Sequence, residues 1–374
     1  MPEITYYHLA PKAALHIGAR GMEQEETLSY VPSDTLFSAL FVSWLLRGSP
    51  EVWSDAFSNP QETPFLLTSA YPRVGEVRFY PMPRVDPEAY GLPVNVKGKE
   101  IRRIAYVSEG IWRRLIRGES LAALYPREDE EAEGAFLQHG ALWISREEIE
   151  GLPESIKTYE NARGVLRPRP LCALSLVRVW ARHKVPGVTV SRFGRGSEIY
   201  YTGRVVFSEG CGLWFGVQWQ KPDITLEGEG ALTWRGAFEE ALARLADSGL
   251  GGERSSGYGA FSWQVAGEAA WPHVGAGDLF VTLSRYHPQA DEVPSAFQGD
   301  RVRYRLVSVG GYLHTDSGPG RPRRRLRFVS EGSVLRAPRD GVLGDVSDVK
   351  PVGFPHPVWR YGLALPVPLE VSHA

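Results

Sequence analysis

Residues 235–265 read RGAFEEALARLADSGLGGERSSGYGAFSWQV, and the order of patterns within them sets the fold class. From Arg235 to Ala246, Phe238, Leu242 and Leu245 recur three and four residues apart, the spacing of one helical face. Gly249 stands where a helix ends on a left-handed residue. A loop with five glycines, Gly249–Gly259, leads into a strand at Ala260–Val265. Upstream, Tyr200–Phe207 and Leu213–Trp219 read as strands joined by Ser208–Gly212. In the second of these, Leu213, Phe215, Val217 and Trp219 share one face.

The N-terminal half repeats the theme. Ile4–Leu9 is apolar and aromatic, a strand. Val31-Pro32-Ser33-Asp34 reads as a helix start with Ser33 or Asp34 at the N-cap. Leu36, Phe37, Leu40, Phe41, Trp44 and Leu45 then form one stripe. Phe65–Leu67 against Val77–Tyr80 reads as a hairpin turning near Gly75. A second helix, 108–117, turns Ile111, Leu115 and Ile116 inward and three arginines outward. Further strands are expected at Leu279–Tyr286, Arg301–Val309, Leu326–Val329 and Tyr361–Pro366. Strand, helix, hairpin and helix make up most of a ferredoxin-like half. The chain reads as α+β in two halves, 1–160 and 161–374, with Arg163–Pro170 either a linker or a strand entry.

The chain has 374 residues, 43% of them hydrophobic and 23% charged, with 40 glycines and 28 prolines. That composition excludes a disordered chain and suits short strands and tight turns better than a helical bundle. No apolar run reaches the 18 or so residues needed to cross a bilayer, and the N-terminus lacks a secretory pattern. Two cysteines, Cys172 and Cys211, cannot build a disulfide framework or a zinc site. A cytoplasmic protein without membrane association is the expectation.

The net charge of −2 conceals segregation. Residues 161–204 carry +8 and 301–327 carry +7, whereas 128–150 carry −7. Of the 42 basic residues, 35 are Arg, whose planar guanidinium forks to a phosphate and stacks on a base. Clustering of this kind on a near-neutral chain points to an anionic partner on one face.

Local chemistry narrows the partner. The glycine loop lets backbone N–H groups approach a ligand, and Arg254 and Ser255 add donors. It follows a helix and precedes a strand, the reverse of a P-loop, and has no Gly-Lys-Ser/Thr ending. The alternative is a plain connection. Val188–Ser197 alternates Arg, Phe and Gly as either an RNA-binding finger or a solvated loop. Arg321–Arg327 is either an RNA-facing edge or a charged edge that blocks aggregation. No His-Glu-x-x-His, Cys-His cluster or Gly-x-Ser-x-Gly elbow exists. His16 and His314, near glycines and basic residues, are the candidate general bases for metal-free RNA cleavage. No cofactor is expected.

Four segments recur in an order that resembles one family: Ser33-Asp34-Thr35-Leu36-Phe37-Ser38-Ala39-Leu40, Gly249–Gly259, Glu331-Gly332-Ser333-Val334, and His356-Pro357-Val358-Trp359-Arg360-Tyr361-Gly362. They resemble the RAMP superfamily of CRISPR-associated proteins and, within it, the fourth Csm subunit of type III-A effector complexes. The resemblance runs from about residue 16 to 365. It implies two ferredoxin-like (RRM-like) domains, no catalytic activity, and recognition of the repeat-derived 5′ handle of crRNA. It implies docking to the large polymerase-type (cyclase) subunit and to a backbone RAMP subunit, with target RNA engaged indirectly. It also implies a β-hairpin thumb, matched here by Ser191–Ser197. The handle-contacting loop implied by the resemblance maps onto Gly251, Gly252, Arg254, Ser255, Gly257 and Gly259. Arg192 and Arg195 lie in the thumb stretch, Phe193 or Tyr258 suits base stacking, and Ser33, Arg323 and Arg324 complete the expected RNA-binding residues. The competing expectation is a RAMP endoribonuclease that processes crRNA precursors. It shares the fold and the loop but needs a positioned base.

Overall fold

A computed structural model describes residues 3–18, 27–92, 96, 98–126, 133–190, 197–315 and 318–370. It is a mixed α+β protein with several sheets. The first seven strands are β1 (Glu3–Pro11), β2 (Phe65–Leu67), β3 (Tyr71–Val74), β4 (Val77–Pro81), β5 (Tyr106–Ser108), β6 (Gly134–Leu137) and β7 (Leu142–Ser145). A small hairpin, β8 (Thr158–Glu160) with β9 (Leu166–Pro168), is followed by a long one, β10 (Trp180–Val190) with β11 (Ser197–Phe207). β12 (Cys211–Trp219) and β13 (Phe261–Ala270) complete this part.

The central sheet runs β13-β1-β12-β3-β4-β5-β7-β6, with β2 also paired to β12. The helix Ser33–Leu45 follows β1, and the helix Trp234–Ser248 connects β12 to β13. The order β13-β1-β12-β3 is therefore fourth, first, third, second along the chain, as in a split βαβ unit. β1 lies between two antiparallel neighbours and is buried from Ile4 to Leu9, so its hydrophobic run needs no polar alternation. Tyr7 stacks on Phe215 at 5.1 Å, and Tyr6 meets Trp214 edge-on at 5.8 Å. The two helices pack side by side over this sheet. Their apolar stripes enclose Phe37, Trp53, Phe57, Phe65, Trp234 and Phe238.

Several local expectations shift. Pro32, not Ser33 or Asp34, occupies the N-cap, and both polar residues fall inside the first turn. Leu45 is exposed at the end of the stripe. The turn at Gly75 is present, with φ +59°, but joins β4 to the adjacent β3, while Phe65–Leu67 pairs with Val217–Trp219. Strands 197–207 and 211–219 do not pair, because β11 folds back on β10 and β12 enters the sheet centre. The ladders also do not divide at residue 160. β12 and β13 flank β1, so the sheet joins both sides of that position.

The C-terminal region carries β14 (Leu279–Thr282), β15 (Leu306–Val309), β16 (Tyr312–Thr315), β17 (Gly318–Pro322) and β18 (Leu326–Val329). It ends with β19 (Val334–Arg336), β20 (Gly344–Asp348), β21 (Trp359–Leu363) and β22 (Pro366–Pro368). β14 sits between β19 and β22, over a separate small core that includes Phe280, Tyr286, Val329 and Leu335. Among the described residues, no helix is long and apolar enough to cross a membrane.

Candidate nucleic-acid interface

The glycine loop has a pinned neck and an open rim. Gly249 ends its helix with φ +89°, its N–H donating to Leu245 O at 2.8 Å. Leu250 N–H donates to Gly259 O at 3.0 Å and closes the neck. Gly259 N–H donates to Ala14 O and Gly252 N–H to His16 O, both at 2.9 Å. At Gly251, with φ +98°, a Cβ would lie 2.4 Å from His16 O, so glycine is required by both conformation and space.

Beyond the neck, Glu253 adopts a left-handed conformation with φ 58°, a short turn covers Arg254–Ser256, and Gly257 has φ +82° with open space around it. Arg254, Ser255 and Gly257 are exposed, and Tyr258 is half-buried. The N–H groups of Glu253, Arg254 and Ser255 have no acceptor among the described residues. Successive free N–H groups of this kind form a concavity for an anion.

The segment that pins the loop also anchors the long hairpin. Leu15 and Val205 exchange two backbone bonds of 2.8 Å. His16 Nδ1 donates to Gly203 O at 2.6 Å, while its carbonyl receives Gly252 N–H. The sequence reading offered His16 as a general base. The fold uses it as a buried brace between loop and hairpin, its ring so close beneath Gly252 that a Cβ there would meet it at 2.8 Å.

Arg182, His183 and Lys184 are exposed near the base of β10, and Arg182 donates to Ser29 Oγ at 3.2 Å. With 11 residues in each strand, the hairpin extends roughly 35 Å from this base. Ser191–Gly196, with Arg192, Phe193 and Arg195, lie outside the described residues, as does the side chain of His314. No group of His, Cys, Asp or Glu side chains suited to a metal is found among the described residues.

Ser33 is not an exposed ligand contact. It is fully buried, and its Oγ accepts Arg285 N–H at 2.9 Å. Beside it, Asp34 accepts Arg285 Nη1 at 3.0 Å and Arg360 Nη1 at 2.6 Å, all three side chains being buried. Glu331 approaches Arg285 Nε at 3.7 Å and accepts Ser69 Oγ at 2.7 Å. Three of the four resemblance segments thus meet in one buried ionic cluster joining the first helix to the C-terminal region. Burial alone would raise the Asp34 pKa; Arg285 and Arg360 outweigh it and hold the carboxyl below its ordinary range.

Arg323 points toward this cluster rather than toward the glycine loop. Burial, then the neighbouring Arg360, pushes its pKa down to about 10. Arg324 is exposed and donates to Asp348 O at 2.8 Å. The structure therefore brings Gly251, Gly252, Arg254, Ser255, Gly257, Tyr258 and Gly259 together and leaves Ser33, Arg323 and Arg324 in another neighbourhood. Sequence reasoning missed Arg285 and the pairing of Asp34 with Arg360. The signal is present in the motif residues Ser33-Asp34, Glu331 and Arg360, of which Ser33 reads as a ligand contact, Asp34 as a candidate cap, and the other two only as parts of the resemblance.

Residues 276–369 match the CRISPR Csm4 C-terminal domain family. The Mycobacterium tuberculosis CRISPR system Cms protein Csm4 is 38% identical over 131 residues, 34% of this chain and 41% of that protein. The Thermococcus onnurineus Csm4 is 27% identical over 58% of this chain and 63% of its own length. These two matches each span less than two thirds of the relative. The Methanocaldococcus jannaschii Csm4 is 22% identical over 92% of this chain and 88% of its own. In fold, the chain matches one from a crystal structure of a Csm3–Csm4 subcomplex, with TM-score 0.62 and 18% identity over 97% of this chain and 99% of that one. A chain from a Csm1–Csm4 cassette bound to pppApA matches at TM-score 0.54 and 17% identity over 100% of both.

Proposed function

We propose that this chain, similar to Csm4 proteins in its C-terminal region and in fold, is a Csm4-like RAMP protein that holds the 5′ handle of crRNA in a type III-A CRISPR effector complex. The observation that carries the reading is the shared brace: residues 14–16 fix the open rim of the glycine loop beside the base of a long basic hairpin. A single-stranded handle presents phosphates, unstacked bases and 2′-hydroxyls. The free N–H groups of Glu253–Ser255 and the guanidinium of Arg254 suit a phosphate, and Tyr258 offers a ring to a base. The hairpin, with Arg192, Phe193 and Arg195 in the sequence between its two strands, would act as the thumb that displaces a nucleotide between handle and guide.

On this reading the protein acts without catalysis. Its partners would be the large polymerase-type subunit and a backbone RAMP subunit in the cytoplasm, with target RNA met only through the guide. Likeness to chains crystallised with Csm1 and with Csm3 supports both partners. We read β1 to β13 as the first ferredoxin-like unit and the region from residue 276 onward as the second.

The test is binding of repeat-derived RNA by the full chain. Arg254→Ala with Ser255→Ala should remove about one phosphate contact, weakening affinity roughly 5-fold at 0.1 M salt with unchanged melting. The RNA should stay intact with or without divalent metal. Unchanged affinity would remove the loop from the interface. Cleavage abolished by His16→Ala would instead establish a nuclease.

A further inference from the structure

A cleft of about 1300 Å³ lies between the central sheet and the C-terminal region. One wall is formed by residues 81–85 and Tyr106, the other by 305–308, and the floor by Tyr30, Tyr71, Arg285 and Glu331. Besides the buried Arg285, four arginines line it: Arg84, Arg102, Arg305 and Arg325. All four are exposed, and none has a carboxylate partner among the described residues.

Their freedom contrasts with other arginines nearby. Arg303 pairs with Asp86 and Arg339 with Glu292, each at 2.8 Å. Glu331, the only carboxylate among the described lining residues, is already held by Arg285, Ser69 and Tyr30. At the floor, Ser330 is 7% exposed, and its Oγ has no hydrogen-bond partner among the described residues. A buried orphan hydroxyl in a cleft is a group awaiting a ligand atom.

We propose that this cleft is a second RNA-binding surface, taking a short single-stranded segment with its phosphates on Arg84, Arg102, Arg305 and Arg325 and one nucleotide reaching Ser330. The inference rests on the RNA-binding reading above and adds a contact region that the glycine loop does not supply. Size favours a polymer segment, since small-molecule pockets occupy about 300–1,000 Å³. The cationic groups are all guanidinium, which forks to phosphate oxygens and stacks on bases, and this favours a nucleic-acid segment. Arg84 and Arg305 both line the cleft, where partial desolvation and then the charge of Arg305 lower the Arg84 pKa; a phosphate offers oxygens to more than one guanidinium. Met82, Pro83 and Leu306 give the bases apolar contact between these charges.

The probe is a fluorescein-labelled octauridylate, with a 4-thiouridine version for crosslinking and an octaglutamate peptide as the competing class. Arg84→Ala with Arg305→Ala should leave melting unchanged, because neither side chain makes a hydrogen bond or ion pair among the described residues. Arg84→Gln with Arg305→Gln keeps the side-chain length if the alanine pair folds poorly. Each lost phosphate contact is worth roughly 5-fold at 0.1 M salt, so the pair should weaken octauridylate about 25-fold. The slope of log affinity against log salt should become shallower by about 1.4. Crosslinks within 82–85 and 305–308 should disappear. Full affinity in these variants, with loss on Arg254→Ala and Ser255→Ala, would overturn the cleft site and leave the handle reading intact. No binding of repeat-derived RNA or octauridylate by the unmodified chain would overturn both. Octaglutamate binding that the cleft variants abolish, with octauridylate unaffected, would assign the cleft to an acidic protein and overturn this inference.

Discussion

Replacing Asp34 by Asn removes the one charge that two buried arginines share. Arg285 would keep Glu331 at 3.7 Å, but Arg360 would keep only Gly310 O at 3.2 Å. The variant therefore strands about one buried cation, at a cost of roughly 3–5 kcal/mol. Arg323, already destabilised by burial and by Arg360, would lose the Asp34 charge that partly offsets both. The readout depends on how much of the chain melts together. With an unfolding entropy of about 2.1 cal/mol/K per residue, 4 kcal/mol lowers Tm by about 5 °C if all 374 residues unfold as one. If the C-terminal region of about 100 residues unfolds alone, the same loss lowers its Tm by about 20 °C. Calorimetry with hydrogen exchange of β14 and β21 separates the cases. In an Arg360→Met background, Asp34→Asn should cost about 1–3 kcal/mol less, as expected for directly coupled residues. The wild type loses this stabilisation as pH falls below the ordinary carboxylate range, since the folded pKa lies beneath the unfolded one, and the variant has none to lose. A cost under about 1 kcal/mol, independent of Arg360, would refute the account of the cluster as the weld between the two regions.

Burial, followed by Arg73 and Arg78, pushes the His8 pKa from 6.5 down to about 3; neither ring nitrogen has a hydrogen-bond partner among the described residues, and the exposed Glu76 carboxylate stays 3.9 Å away. The unfolded chain therefore binds the extra proton first, and folding loses about 2 kcal/mol between neutral pH and pH 5. His8→Leu should flatten that limb in urea titrations at pH 7 and 5; an unchanged limb would place the acid sensitivity elsewhere. Gly251→Ala should cost about 2–3 kcal/mol and deprotect Gly252 N–H in hydrogen exchange, because its Cβ meets His16 O. Gly257→Ala, in open space, should cost only about 1 kcal/mol. Equal losses at the two positions would contradict the pinned-neck description. Arg192→Ala with Arg195→Ala should leave melting unchanged and let target RNA pair one or more nucleotides further toward the 5′ end of the guide. Chemical probing of the junction nucleotides checks this, and unchanged protection would place the thumb elsewhere.

The regular elements were legible where one pattern dominated. In Trp234–Ser248, Phe238, Leu242 and Leu245 are buried as their spacing requires, and the glycine run after Gly249 is the loop between helix and strand. Strand partners were not legible. β12 is buried on both faces from Cys211 to Val217, so its sequence carries no alternation to say which neighbour it faces. The fold closes β1 against strands more than 200 residues away, and only tertiary packing selects that pairing. The same limit governed the motif Ser33-Asp34. A polar pair before a hydrophobic stripe reads equally as a cap or a ligand contact, and its burial against Arg285 is visible only in three dimensions.

By itself, the sequence determined the α+β class, the helix stripes, the glycine loop and the clustering of arginine, because each is encoded in neighbours a few residues apart. Only the tertiary structure decided which arginines are free. Arg285, Arg360 and Arg323 come from the same basic, motif-rich third of the chain as Arg305 and Arg325, and composition cannot tell them apart. The first group is drawn inward by one buried carboxylate, Asp34, contributed from a helix 251 residues before Arg285 and 326 before Arg360. Charge compensation is set by distance in space and by loss of solvent, and neither is a property of local sequence.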